Sequence, residues 1–249
     1  MNHIISFQRI KLLTIRYFAE NGRKGLIRLS IFFLIFAFLP RLINSSYPLT
    51  SFVIFCAILF IGGISFTAHI FKEIHKPFSG MHYLHIPASR FEKFLFNGTL
   101  SLLYYPAVCL LLYYGGALFG NLVAPIIPSF LNYQIIDISY LMPKELIGKL
   151  VSQFVLTHAF FFLGSLAFKK NNVSKTFISL IVISLIIGIV QMMLMKILWT
   201  DYTSTDFNIK IVSLTENLTG IRHGEWISIG AIAIFLWIVS YFKLKEKQV

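Results

Sequence analysis

Acidic residues are scarce in this chain: ten Asp and Glu stand against 22 Lys and Arg in 249 residues, and charge of either sign makes up only 13%. A water-soluble domain carries about 25% charged and about 45–50% apolar residues. Here 57% is apolar and the mean hydropathy is +0.76, too little polar surface to clothe a fold in water. That excludes an ordinary cytosolic enzyme and, despite a pI near 9.7, an ordinary nucleic-acid binder. None of the ten acids lies inside an apolar run, so the facing carboxylates of an intramembrane hydrolase are missing. The two cysteines, Cys56 and Cys109, both sit in apolar runs, where they read as small hydrophobes rather than a disulfide framework. Also missing are G-x-x-x-x-G-K-[ST], H-E-x-x-H, paired C-x-x-C and G-x-S-x-G. The expectation is therefore no catalytic residue, no metal site and no cofactor bound by the chain itself.

What is present is a series of long apolar runs, at 29–43, 49–70, 94–120, 148–168, 176–198 and 226–242. They are continuous, not alternating, and most are long enough to cross a bilayer core as helices of about 20 residues. The fold class expected is all-α: a polytopic membrane protein of six transmembrane helices. Counting Lys and Arg by connection puts sixteen on one side with four acids and six on the other with six acids. The whole excess of +12 thus belongs to the side holding residues 1–28, 71–93, 169–175 and 243–249. The retention of basic residues on the cytoplasmic side makes both termini cytoplasmic, in a cytoplasmic (inner) membrane. The segment before the first run is mostly polar and basic with no small-residue cleavage site, so no signal peptide is expected. Longer connections at 121–147 and 199–225 are either external caps or re-entrant segments.

Residues 1–28 read as a cytoplasmic helix along the membrane surface. Phe7, Ile10, Leu13 and Tyr17 recur at spacings of three and four, while Arg9, Arg16 and Arg23 form a stripe beside them. Such a helix buries its apolar side among headgroups and holds arginines near anionic lipid. A plain topogenic segment accounts for the same residues. The loop at 71–93 is the most informative stretch. Pro87 disfavours helix at Ile86, and Ser89 with Glu92 three residues on makes a capping box, opening the helix that becomes the third span.

The stretch Leu84-His85-Ile86-Pro87-Ala88-Ser89-Arg90-Phe91-Glu92-Lys93-Phe94 resembles the L-x-x-P-x-S-R-x-E-K element after the second span of ABC-2 type transporter permeases. An amphipathic helix before span one, six spans and both termini inside fit the same family. Likeness at the residue level is confined mainly to 4–28 and 84–96, and His85-Ile86 replace the Leu common before the Pro. The resemblance implies a permease domain over 29–242, with ATP and Mg bound by separate ABC-type ATPase subunits. It implies a second copy or related permease completing the pathway. Met81, Tyr83, Leu84 and Ile86 would enter an ATPase groove, with Arg90 and Lys93 near partner acids and Pro87, Ala88, Ser89 and Glu92 stiffening the link. Lipid, peptide or another amphiphile suits the aromatic-rich spans better than a small ion.

Within the spans, His158 and Gln191 are the polar residues expected to face the bundle interior, as pathway groups or as interhelical hydrogen bonds. Gly62-Gly63 and Gly116-x-x-x-Gly120 read as sites of close helix approach, and Tyr104, Tyr105, Tyr113, Tyr114, Trp199 and Trp226 as interface anchors. The rival to a transporter is a membrane sensor or assembly partner recruiting proteins through its basic loops. A membrane enzyme is more remote.

Overall fold

The structure, a computed structural model, describes residues 6–42, 48–75, 80, 83, 86–126, 144–198 and 222–247. Those residues are all-helical, without a strand. In chain order the helices are α1 (Phe7–Leu42), α2 (Pro48–Ala57), α3 (Gly63–His69), α4 (Arg90–Thr99), α5 (Tyr105–Val123), α6 (Lys144–Ala167), α7 (Asn172–Leu198) and α8 (Arg222–Lys247). Ile58–Gly62 joins α2 to α3, and Leu100–Tyr104 joins α4 to α5, each as one turn of π-helix within a continuous rod.

Among the described residues five stretches are long and apolar enough to cross a membrane: Thr50–His69, Arg90–Val123, Leu146–Ala167, Asn172–Leu194 and Ser228–Lys247. The expected first span is not among them. Residues 43–47, at its end and after it, lie outside the described residues. Nor is there a break at residue 28 between a surface helix and a span. No proline stands between Phe7 and Leu39, and α1 runs through as one 36-residue helix about 54 Å long.

Ring contacts fix the direction of the pairing. Tyr17 meets Phe96, Phe18 meets Tyr104 and Phe36 meets Tyr113, so α1 runs parallel to the α4–α5 rod. Gly116 lets the two backbones touch: a Cβ there would lie 2.8 Å from Phe36 Cβ and 3.1 Å from the Ala37 nitrogen. Its role as a point of close approach is thus a contact between α1 and α5. Tyr113 lies in the core, stacked on Phe55 at 4.7 Å. Cys109 is in the same cluster, and both cysteines are free thiols. Tyr105 stacks on Phe66 at 5.4 Å.

One end of the bundle collects the helix ends. Glu92 at the start of α4 bonds to Ser6 before α1; Phe71 after α3 packs on Phe162 of α6 at 5.1 Å. Asn172, opening α7, donates to the Ala68 carbonyl of α3 at 3.1 Å. Phe94 of α4 meets Tyr241 of α8 at 5.5 Å. Both ends of the described chain therefore lie at this basic end, together with residues 72–75, 86–89 and 168–171.

Helix α7 differs from the rest. Gly164 admits Thr176 so closely that no Cβ could be added, and Asn172 and Thr176 are buried there. Beyond that crossing none of the helix's most apolar window is buried within the chain.

Candidate functional site

The basic end is organised around the loop from α3 to α4. Its beginning is a turn of 3-10 helix, Lys72–His75. The His75 Nε2 atom lies 2.8 Å from the Ser165 carbonyl, and Lys247 at the end of α8 lies 3.2 Å from Nδ1. Lys247 also donates to the Leu166 carbonyl. Carbonyls in the last turn of a helix have no partner within it. Here α6 borrows its partners from the loop and from α8.

The other end of the loop is the capping element. The Ala88 N–H donates to the Ile86 carbonyl at 2.7 Å, a tight turn centred on Pro87. Ser89 then takes an extended conformation, its Oγ accepting the Glu92 N–H at 3.1 Å. In return Glu92 Oε2 accepts the Ser89 N–H at 2.6 Å, completing the expected capping box.

Glu92 does more than close that box. Its second oxygen accepts the Ser6 N–H at 2.7 Å and faces Arg9 Nε at 3.3 Å. The carboxylate side chain has no solvent exposure, so each oxygen is held by the chain itself. One buried acid thereby fastens the start of α1, the end of the loop and the start of α4. A carboxylate suits this position because it only accepts, and its two oxygens offer about four lone-pair sites to donors arriving from different elements.

Lys93 and Tyr83 are likewise turned inward. The Lys93 ammonium donates to the Tyr83 carbonyl at 2.8 Å and sits 5.0 Å from the centre of the Tyr83 ring. Asn97, one turn further along α4, donates to the Tyr83 hydroxyl at 3.1 Å. All three side chains are buried, and burial pushes the Tyr83 phenol above its ordinary value. These contacts correct the expectation that Tyr83 and Lys93 present themselves to a partner. A lysine with its apolar stem and charge laid along an aromatic ring fixes the loop instead.

Of the other expected coupling residues that are described, Pro87 is exposed and Ile86, Ala88, Ser89 and Arg90 are half-buried. Met81 and Leu84 lie outside the described residues, as do 127–143 and 199–221 of the two long connections, with Trp199 among them. In α1, Arg16 pairs with Glu20 at 2.6 Å and Arg23 is exposed.

Deeper in the bundle, His158 of α6 is buried and its Nε2 lies 2.8 Å from Ser101 Oγ. Ser101 stands in the π-turn, and its hydroxyl donates to the Asn97 carbonyl at 2.8 Å. The His158 ring stacks on Phe162 at 5.3 Å, and Trp237 of α8 meets it edge-on at 6.0 Å. His158 Nδ1 and Trp237 Nε1 are both buried without a hydrogen-bond partner among the described residues. The interhelical bond expected of His158 is present. Gln191 is different: it sits on the exposed length of α7 and lines no interior of this chain.

Some of these features had no local sequence signal. Nothing near Glu92 points to Ser6, 86 positions away, or near His75 to Ser165, 90 positions away. Nothing in the sequence pairs Asn97 with the Tyr83 hydroxyl. The π-turns leave no mark in the hydrophobic pattern, yet one of them has a partner: Tyr105 donates its hydroxyl to the Ile58 carbonyl at 2.8 Å.

Among the described residues no three His, Cys, Asp or Glu gather where they could hold a metal ion. No family model, curated protein or solved structure matches the chain.

Proposed function

We propose that this chain is the membrane-spanning subunit of an ATP-driven transporter of the ABC-2 type, exporting a lipid, peptide or other amphiphile. In this reading the loop at 81–93 takes up motion from separate ATPase subunits, which bind the ATP and Mg. A second copy or a related permease completes the pathway, and the basic end faces the cytoplasm from the inner membrane. The observation that carries the reading is the Glu92 junction. The turn at Ile86–Arg90, with Pro87 exposed, adjoins it, while the same carboxylate bonds to Ser6 before α1 and caps α4. A push on that turn is delivered to two parallel helices at once, through bonds between 2.6 and 3.3 Å. Stiff connection is what a mechanical link requires, and it is of no use to a loop that only tethers.

The test is co-purification. The protein in mild detergent should retain an ATP-hydrolysing partner, and replacing Ile86–Arg90 with a Gly/Ser linker should remove it while the protein still elutes as a folded particle. Retention of that partner by the linker variant would refute the docking role. Recovery of a partner without nucleotide hydrolysis would favour the sensor or assembly reading.

A further inference from the structure

The contact between His75 and Lys247 is chemically lopsided. A backbone carbonyl only accepts, so the 2.8 Å contact with Ser165 requires a proton on His75 Nε2. In the neutral ring Nδ1 then carries a bare lone pair, which is what an ammonium 3.2 Å away can donate to. One side chain is thereby donor to α6 and acceptor from α8. Adding a proton leaves the first bond in place and destroys the second, because Nδ1 becomes an N–H facing a cation.

The neighbours make that change costly. Lys247 and Lys169 both act on the ring as like charges, Lys169 from the link between α6 and α7. The carbonyls of Ser165 and Leu166 from α6 face the same cluster. On its own turn Lys72 and Glu73 are both exposed. Lys243 of α8 also bears on Lys247 and is itself paired with Glu246 at 2.7 Å. Burial and the two lysines hold the His75 imidazole below its ordinary value, against the opposing pull of the Ser165 carbonyl. The neutral, latched form is therefore the stable one at neutral pH. Since the latched ring binds protons less readily than a free one, the latch weakens as pH falls below the usual imidazole range near ~6.5.

We propose that His75 is a proton-operated latch: neutral, it fastens the end of α8 and the last turn of α6 to the start of the 71–93 loop, and protonated, it lets Lys247 go. The loop would then have two anchors of different kind. Glu92 grips its far end through Ser89 and Ser6, and His75 grips its near end only when neutral. Acidification loosens the near end. This inference rests on the contacts alone and stands whether or not an ATPase docks on the loop.

Hydrogen–deuterium exchange on the full chain in nanodiscs tests it, read on peptides covering 240–249 and 70–76 and corrected for the intrinsic effect of pH. Between pH 7.5 and 5.5 the corrected exchange of both peptides should rise at least tenfold in the wild type. His75→Gln keeps a donor and an acceptor but cannot titrate, so it should stay protected at both values. Lys247→Met should be unprotected and flat in the C-terminal peptide. A flat wild-type profile, or an undiminished pH response in His75→Gln, would overturn the proposal. Nitrogen NMR of ring-labelled wild-type protein reads the tautomer without any variant: Nε2–H at pH 7.5 is expected for His75, and Nδ1–H would contradict the latch.

Discussion

Replacing Glu92 with alanine is expected to lower the stability of the solubilised protein by about 3 kcal/mol and to expose residues before α1 to protease. The size follows from what the carboxylate holds. Loss of an N-terminal cap costs ~0.5–2 kcal/mol. The Ser6 N–H, left without its acceptor in a half-buried place, adds ~1–3 kcal/mol. Arg9 contributes less, since its side chain is 37% exposed and water can take over its hydration. Glu92→Gln keeps the shape and one good acceptor but turns an amide N–H toward a backbone donor, so it should fall between wild type and alanine. Thermal unfolding in detergent orders the three proteins. Limited proteolysis with N-terminal sequencing shows whether release begins before α1. Equal melting points and an unchanged cleavage pattern for Glu92→Ala would mean that the junction contributes no cohesion.

Gly62→Ala is expected to cost about 2 kcal/mol, and adding Tyr105→Phe is expected to relieve it. A Cβ at residue 62 would meet the Tyr105 hydroxyl oxygen, while the next ring atom is at 3.3 Å. The added methyl therefore evicts one oxygen and breaks its bond to the Ile58 carbonyl of the π-turn. Overpacking of ~1–3 kcal/mol and a lost hydrogen bond of about 1 kcal/mol oppose a helix-propensity gain of roughly 1 kcal/mol from Gly to Ala. Tyr105→Phe alone loses only the bond. With that oxygen gone the alanine methyl fits, so the double variant should melt at or above Tyr105→Phe. Additive losses would show that the ring, not its hydroxyl, sets the spacing.

The helices were legible because long apolar runs with few interruptions have one solution in a bilayer. Among the described residues five of the six expected runs recur as apolar rods. The first lies in one unbroken helix that begins at Phe7, with no boundary at residue 28. Ser89 and Glu92 announced their capping box because a cap is local, its partners three residues apart. Their further reach to Ser6 and Arg9 depends on how α1 lies beside α4, which no window of sequence encodes. The same applies to Lys93. Its charge suggested an outward residue, yet Tyr83 and Asn97 give it a buried place that only the folded loop creates. For His158 burial and a hydrogen-bonding partner on another helix were readable from its depth in the run. Gln191 shows the limit of that rule: the same depth leads nowhere inward on a helix that stands apart.

The central claim is that Ile86–Arg90 is where a nucleotide-driven partner meets this chain. A photo-crosslinking amino acid at Pro87, the exposed tip of the turn, tests it most directly in cells. The account predicts a single protein adduct that binds ATP, with a yield that changes when hydrolysis is blocked. Adducts to lipid alone, or to a protein that binds no nucleotide, would contradict it.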